Sequence, residues 1–329
     1  MVTLKDIARI AGINVSTVSK ALRNSSDIKR DTVAKIKKIA ADIGYEIKEE
    51  LENGSRLIGV ICPEIRSNYY SKLVCSIEEE AKKNGYTIVI GFTNFNRKNE
   101  EYYLEHFSNA KARGIIFISE NQTLNEILGR YIVNNDIPLV IIASNAETLN
   151  FDYIMIDDDK GVRLVLDHLV TLGHRDICYI GDRLCSTRLA VFKTVMQEYQ
   201  IKLPEPWIKV SNERFEECGY KMMNEVFKNE KIPTAVFGAY DDITIGAMKA
   251  IYERNLSIPG DISIAGIDDI YISQFMYPEL TTVSAPICEL AEIAIAILFK
   301  KINNRSYKVY QTVKIAPDLI VRKSTRAIP

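Results

Sequence analysis

The chain has 329 residues, of which 47% are hydrophobic and 26% charged, and its formal net charge is −1. This is the composition of an ordinary globular protein with room for two or three domains. No apolar run reaches the roughly 18 residues of a membrane span, and the first residues lack an export signal, so we expect a cytoplasmic protein without membrane contact. The scattered cysteines and histidines predict no metal site and no cofactor.

The charge is unevenly distributed along the chain. Residues 1–48 contain ten Lys or Arg and five Asp or Glu, a net charge of +5, so the remainder carries −6. A basic segment attached to an acidic chain is typical of nucleic-acid binding, although basic helices also occur as plain solvated surfaces.

The first 45 residues contain the signals of three short helices. Thr3 and Asp6 form a capping box that opens the first helix, and Gly12 ends it in a left-handed turn. A second helix follows Asn14, and a third begins near Thr32. Small and apolar residues occupy the positions where closely crossing helices meet, namely Ala8, Gly12, Ile13, Val18 and Ala21. Together these features predict a helix-turn-helix DNA-binding domain over residues 1–45.

The outer face of the second helix is built from weak helix formers, which indicates that it contacts another molecule. We expect Val15, Ser16 and Lys20 to contact base edges in the major groove. The residues expected to bind phosphates and fix the register are Thr3, Thr17, Ser19, Lys29 and Thr32. Each hydroxyl taken alone is explained by local capping and each lysine by solvation, so only the whole set of residues indicates contact with DNA.

From residue 57 onward, apolar runs alternate with amphipathic helical stretches. The runs are LIGVIC, YTIVIGF, GIIFI, PLVIIA, DICYIG, TAVFG and ISIAGI. Continuous apolar strands between helices predict parallel sheets covered on both faces. We therefore expect an α/β body of two doubly wound parallel-sheet lobes over residues 57–329. The first lobe is expected at about 57–155 and 285–313, and the second at about 156–284 and 314–326.

Several segments resemble one known family. TLKDIARIAGINVSTVSKAL and the following IGYE resemble the headpiece of the lactose-repressor (LacI/GalR) family of bacterial transcription regulators. DHLVTLGHRDICYIG, AYDDITIGAMKAIYERNLSIPGDISIAGIDD, PELTTVSAP and IAPDLIVRKST are similar to later family segments, in the same order. The resemblance implies a repressor that binds a pseudo-palindromic double-stranded DNA operator as a homodimer, with a tetramer left open. It also implies a periplasmic-binding-protein-like body that holds a small-molecule effector.

The resemblance places the effector in a cleft between the lobes, at the carboxyl ends of the strands. The effector-binding residues that it implies are Tyr69, Tyr70, Asp158, Arg188, Tyr240 and Asp268. The alternatives are a salt bridge between the lobes for Arg188 and a turn or cap for Asp268. Ala143-Ser144 replaces an Asp-Arg pair that is common in the family. A sugar, a modified or phosphorylated sugar, a nucleobase or another small polar metabolite therefore all stay open as effector.

Residues 46–56, EIKEELENGSR, form the predicted hinge or linker and depart most from the family. The segment is shorter than usual and carries four glutamates, which oppose binding close to phosphates. Leu51 is the candidate minor-groove wedge if the segment forms a hinge helix, and an ordinary spacer is the alternative.

Other functional classes have less support in the sequence. We find no dinucleotide fingerprint, phosphate-binding glycine loop or nucleophile elbow, so we do not expect an enzyme. A regulator triggered by a protein partner or corepressor is one alternative, and a solute-binding protein that serves transport is another. The basic segment counts against the solute-binding protein. The expected dimer surface comprises the exposed sides of residues 69–84 and 269–277.

Overall fold

The computed structural model describes most of the chain, in two compact units, Met1–Arg56 and Leu57–Pro329. The described residues are 2–22, 28–45, 56–120, 124, 127–128, 131, 137–144, 150–304 and 306–328. The predicted hinge residue Leu51 lies outside them, so the choice between hinge helix and spacer stays a prediction.

The first unit is a bundle of three helices, α1 (Leu4–Ala11), α2 (Val15–Leu22) and α3 (Arg30–Asp42). All three were predicted, although α3 begins two residues before Thr32. Gly12 ends α1 with φ 68° and ψ 32°, the left-handed conformation that glycine adopts without a steric penalty. The core of the bundle consists of Ile7, Ala8, Val18, Ala21, Ile36 and Ala40.

The second unit alternates strands and helices, as the apolar runs predicted. Its described strands are β1 (Leu57–Cys62), β2 (Thr87–Phe92), β3 (Gly114–Ser119), β4 (Leu139–Ala143), β5 (Asp152–Ile156), β6 (Ile177–Asp182), β7 (Ile208–Ser211), β8 (Ala235–Gly238), β9 (Ser263–Asp268), β10 (Thr281–Ser284), β11 (Thr312–Ile315) and β12 (Leu319–Ile320). Its described α-helices are α4 (Asn68–Lys83), α5 (Arg97–Asn109), α6 (Asp158–Thr171), α7 (Ser186–Glu198), α8 (Phe215–Val226), α9 (Asp241–Glu253) and α10 (Ile287–Asn303).

Two six-stranded sheets form the centres of the two lobes. The first sheet has the order β11-β5-β4-β3-β1-β2, and all its strand pairs are parallel. The second has the order β12-β10-β9-β8-β6-β7, and only its β12–β10 pair is antiparallel. The fold class predicted from the sequence, a helical headpiece followed by two parallel-sheet lobes, is confirmed.

The chain passes between the lobes three times, after β5, after β10 and after β11. The lobe boundaries expected at 155/156 and 313/314 fall inside strands, because Ile156 is the last residue of β5 and pairs with Ile315 of β11. A residue paired inside the first sheet belongs to the first lobe, so the second lobe begins after Ile156 and resumes after Ile315. Helix α10 packs on α4 and on the first sheet.

Two glycines bring α8 and α9 into close contact in the second lobe. A Cβ atom on Gly219 would lie 1.8 Å from the carbonyl oxygen of Ile243, and one on Gly246 would lie 1.9 Å from the carbonyl oxygen of Glu216. Only glycine permits this approach of the two backbones. The contact sets the amino-terminal ends of α8 and α9 side by side, beside the cleft described below.

Candidate functional site

Helix α2 presents the predicted base-contacting residues on its outer side. Val15 is 39% exposed, and Ser16 and Lys20 are exposed as well. Val18 and Ala21 of the same helix are fully buried against α1 and α3. The helix is therefore anchored by one face and offers an apolar group, a hydroxyl and a cation on the other.

The residues predicted to position phosphates differ in exposure. Thr3 and Lys29 are exposed, whereas Thr17, Ser19 and Thr32 are partly buried. The Thr3 hydroxyl donates a hydrogen bond of 2.7 Å to Asp6 Oδ2, and the Thr3 amide donates one of 3.0 Å to the same oxygen. These bonds hold the pKa of Asp6 below its usual value. Thr3 thus caps α1 in this structure, and its hydroxyl would have to leave Asp6 to donate to a phosphate.

A cleft between the two lobes of the second unit brings together the six residues predicted for the effector. Parallel strands present their carboxyl ends to this cleft, and helix amino termini follow directly. Tyr69 and Tyr70 lie in the first turn of α4, Asp158 opens α6, and Arg188 lies in the first turn of α7. Tyr240 precedes α9, and Asp268 ends β9. All six line the same cleft, although their effector-binding role stays a prediction.

Arg188 is held by three groups of the second lobe. Its Nε donates to Asp158 Oδ1 at 2.9 Å, its Nη1 donates to the Ala239 carbonyl at 2.7 Å, and its Nη2 lies 3.4 Å from Asp268 Oδ1. All three partners follow Ile156, so the alternative interpretation of Arg188 as a salt bridge between the lobes is wrong. The guanidinium instead joins two carboxylates on one wall of the cleft.

Asp268 has an unusual backbone and a perturbed carboxyl group. Its φ is 113°, a conformation that L residues rarely adopt. Burial raises the pKa of Asp268 to about 7, and the carboxylates of Asp242 and Asp158 add to this, while the adjacent Arg188 opposes it. Asp268 and the following Asp269 both have positive φ, and the Asp268 side chain lines the cleft.

Glu120 is a cleft residue that the sequence analysis missed. It follows β3 directly, where it accepts hydrogen bonds from the Tyr70 hydroxyl at 3.1 Å and from the Ser144 hydroxyl at 2.5 Å. Burial is the main cause that raises the pKa of Glu120 above its ordinary value. The signal that could have found it is its position immediately after the apolar run GIIFIS.

Arg214 joins the two lobes at the cleft. Its Nη1 lies 3.6 Å from Glu64 Oε1 of the first lobe, and its Nε lies 3.4 Å from Asp182 Oδ2 of the second. Its guanidinium also lies over the rings of Phe95 and Phe215, at 4.6 and 4.4 Å from their centroids. Arg214 was not among the site residues predicted from the sequence, because three of its partners, Glu64, Phe95 and Asp182, come from distant segments.

Two further contacts shape the cleft. Asn68 Nδ2 in the first lobe donates to Asp242 Oδ1 in the second at 3.1 Å. The Tyr240 hydroxyl donates to Asp182 Oδ2 at 2.7 Å and accepts from the Phe215 amide at 3.0 Å. Because the Tyr240 hydroxyl is already paired within its own lobe, the ring is the part of this side chain left for a ligand.

Neither a metal cluster nor a membrane span is found in the described part of the chain. No group of three or more His, Cys, Asp or Glu side chains there could hold a metal ion. Across the same residues, no helix combines the length and the apolar character needed to cross a bilayer.

Comparison with known proteins matches both units. The family described as bacterial regulatory proteins, lacI family, matches residues 3–46, and a periplasmic binding protein-like domain matches residues 166–325. A protein named HTH-type transcriptional repressor PurR from Haemophilus influenzae strain Rd is 30% identical over 345 residues, covering 100% of both chains. A protein of the same name from Histophilus somni (strain 2336) is 29% identical over 337 residues, again covering 100% of both.

A solved structure shares the fold. The crystal structure of the lac repressor dimer bound to operator and the anti-inducer ONPF superposes with a TM-score of 0.80 and 24% identity, covering 99% of each chain. Both the headpiece and the two-lobed body are therefore shared with that protein.

Proposed function

The chain belongs to the lacI family of bacterial regulatory proteins and is a DNA-binding transcription repressor; we propose that it binds a pseudo-palindromic operator as a homodimer. A small-molecule effector in the cleft between the lobes would change its affinity for that operator. The observation that carries the proposal is the outward face of α2, where Val15, Ser16 and Lys20 are exposed beside a buried core. A thymine methyl suits the valine, and base-edge acceptors suit the hydroxyl and the cation.

Dimer formation is proposed because one headpiece alone makes few phosphate and base contacts. Two heads on one dimer gain affinity through effective concentration at paired half-sites. Residues 269–277, part of the expected dimer surface, support this with unusually exposed aromatic side chains: Tyr271 is 75% exposed, Phe275 60% and Tyr277 94%. Aromatic groups on a surface favour burial against a partner protein.

We propose that closure of the lobes couples effector binding to the affinity for DNA. A ligand that touches both walls of the cleft favours the closed arrangement by the difference in its affinity for the two states. Allosteric couplings of this kind are typically about 1–3 kcal/mol, or roughly 5- to 150-fold in DNA affinity. We propose that this change in the body alters the spacing of the two heads of the dimer.

The test begins with selection of a binding sequence from random duplex DNA by the full chain. The variant Val15→Ala/Ser16→Ala/Lys20→Ala should then lose at least about 100-fold in preference for the selected sequence, because each good base contact contributes about 1–3 kcal/mol. Lys38→Ala removes one exposed positive charge from α3 and serves as the matched control. It should weaken binding to all sequences slightly and leave the preference intact.

The proposal fails if the folded triple variant selects the same DNA as the wild type. Measuring operator affinity with and without metabolites distinguishes regulation by a small-molecule effector from regulation by a protein partner or corepressor. A metabolite that shifts the affinity supports an effector in the cleft. An affinity that responds only to an added protein supports a regulator triggered by a protein partner or corepressor.

A further inference from the structure

Acidic side chains outnumber basic ones around the cleft. Among the described lining residues, the carboxylates are Glu120, Asp158, Asp182, Asp242 and Asp268, and the cations are Arg188 and Arg214. Both guanidiniums already have ion-pair partners, since Arg188 contacts Asp158 and Asp268, and Arg214 contacts Asp182 and Glu64. The cleft therefore offers a ligand more uncompensated negative charge than positive charge.

Glu120, like Asp242, lines the cleft without an ion pair among the described residues. Its two described partners, the hydroxyls of Tyr70 and Ser144, donate hydrogen bonds but bring no positive charge. Within the described residues, no Lys, Arg or His forms an ion pair with it. A carboxylate has about four acceptor positions, so this group retains capacity for further donors. Burial raises the pKa of Glu120, and the charge of Asp158 adds to this, while the nearby Arg188 guanidinium opposes it.

An anionic ligand would find fewer partners than a cationic one. Helix amino termini attract anions, but Asp158 and Asp242 occupy the first turns of α6 and α9, which leaves only those of α4 and α7 without an acidic residue. Arg188 and Arg214 retain N–H donors beyond their printed contacts, but the charge of each is already shared with two carboxylates. A phosphate bound there would also lie close to those carboxylates, which repel it.

We propose that Glu120 determines the charge class of the effector, and that the cleft selects a small polyhydroxylated molecule bearing an amino group. The ammonium of the ligand pairs with Glu120 beside the Tyr70 hydroxyl, and its hydroxyls bond to the remaining carboxylates. Phosphorylated and carboxylated molecules are excluded by the same charges. This inference rests on the proposed role of the cleft as the effector site.

The test uses matched sets of sugars on the full chain. Glucose, glucosamine and glucose 6-phosphate form one set, and the corresponding galactose and mannose derivatives form two others. Calorimetry should show an amino sugar that binds at least about tenfold more tightly than its neutral parent, and no binding of the phosphorylated members. Glu120→Gln should reduce that preference about tenfold or abolish it, whereas Glu120→Asp, which keeps the charge, should retain much of it.

Glu105→Gln removes an exposed carboxylate on α5, away from the cleft, and is the matched control. It should bind all three members of each set like the wild type. Tighter binding of phosphorylated sugars, no binding of any amino sugar, or an unchanged preference in Glu120→Gln would overturn the inference. Selection of DNA, carried out both with and without the sugars, tests the proposed function separately. If the protein selects a DNA sequence but binds no amino sugar preferentially, only the inference about the effector is refuted. If it prefers an amino sugar but selects no DNA sequence, only the proposed DNA-binding role is refuted.

Discussion

Arg188 lies where a helix disfavours a cation. It is in the first turn of α7, and the amino terminus of a helix carries partial positive charge. The carboxylates of Asp158 and Asp268 and the carbonyl of Ala239 offset this cost by direct contact. Arg188 is thus a local exception to helix preference that only its neighbours from distant segments make stable.

Replacement of Arg188 by methionine should destabilise the protein. Arg188→Met leaves two largely buried carboxylates facing each other, and we expect a loss of about 2–3 kcal/mol in the free energy of unfolding. The pKa of Asp268, already raised by burial, should rise further without the guanidinium. Urea titration measures the first effect and NMR titration of the carboxyl group the second.

Arg163→Met provides the comparison, because Arg163 forms its ion pairs with Asp159 and Glu198 on the surface. Solvent screening makes such pairs weak, so this variant should lose much less stability. Equal losses in the two variants would show that the partners of Arg188 contribute no more than a surface pair.

At the scale of elements, the pairing of α8 with α9 depends on the absence of two side chains. The backbones meet at Gly219 and Gly246, where a Cβ atom would overlap a carbonyl oxygen of the opposite helix. A carbonyl in a helix cannot move aside as the end of a flexible side chain can. This contact places Arg214 and Tyr240, which precede the two helices, at the cleft.

The variant Gly219→Ala should therefore be strongly destabilised, by about 3 kcal/mol, because the helices must separate to accommodate one methyl group. Gly161→Ala is the matched control within another helix, α6. Its Cβ would meet its nearest neighbour, Val283 Cγ1, at 3.5 Å, an ordinary van der Waals contact. Because alanine favours a helix over glycine, that variant should be neutral or more stable by up to about 1 kcal/mol.

Thermal unfolding of the two full-length variants measures the difference. A midpoint for Gly219→Ala equal to that of the wild type would mean that α8 and α9 are not in backbone contact.

At the scale of the whole second unit, side chains of the two lobes contact each other directly. Arg214 reaches Glu64 and Phe95 across the cleft, and Asn68 reaches Asp242. The protein itself thus supplies part of the energy that favours closure. An effector then needs to supply only the remaining free-energy difference between the open and the closed arrangement of the lobes.

Removal of the Arg214 contacts should shift the lobes toward a more open arrangement. Arg214→Gln loses the ion pair with Glu64 and the stacking on Phe95, so we expect a larger radius of gyration by small-angle scattering in the absence of ligand. Arg183→Gln, an exposed arginine on the same lobe, is the control and should scatter like the wild type. Identical curves for all three proteins would mean that Arg214 does not contribute to closure.

Much of the architecture was accessible from local sequence patterns. The three headpiece helices and the seven quoted apolar runs appear as predicted, because their periodicity reflects burial on one face or on both. Strands β5, β7, β10, β11 and β12 were not among those runs. They have only two to five residues, and most of them mix polar with apolar residues, so a local pattern does not distinguish them from loops.

The residues of the cleft were likewise only partly predictable from the sequence. The six predicted cleft residues, among them Arg188 and Asp268, were named from segments that resemble a known family, whereas Glu120 and Arg214 became visible only when their partners were placed.

The sequence by itself determined the headpiece, the outer face of α2 and the alternation of strands and helices, since burial periodicity and capping act between residues close in the chain. Only the tertiary structure decided that Glu120 faces the cleft with two hydroxyl donors and no ion pair among the described residues, and that Arg214 joins the lobes. Those properties depend on distances between charges far apart in sequence, and electrostatic energy is set by separation in space.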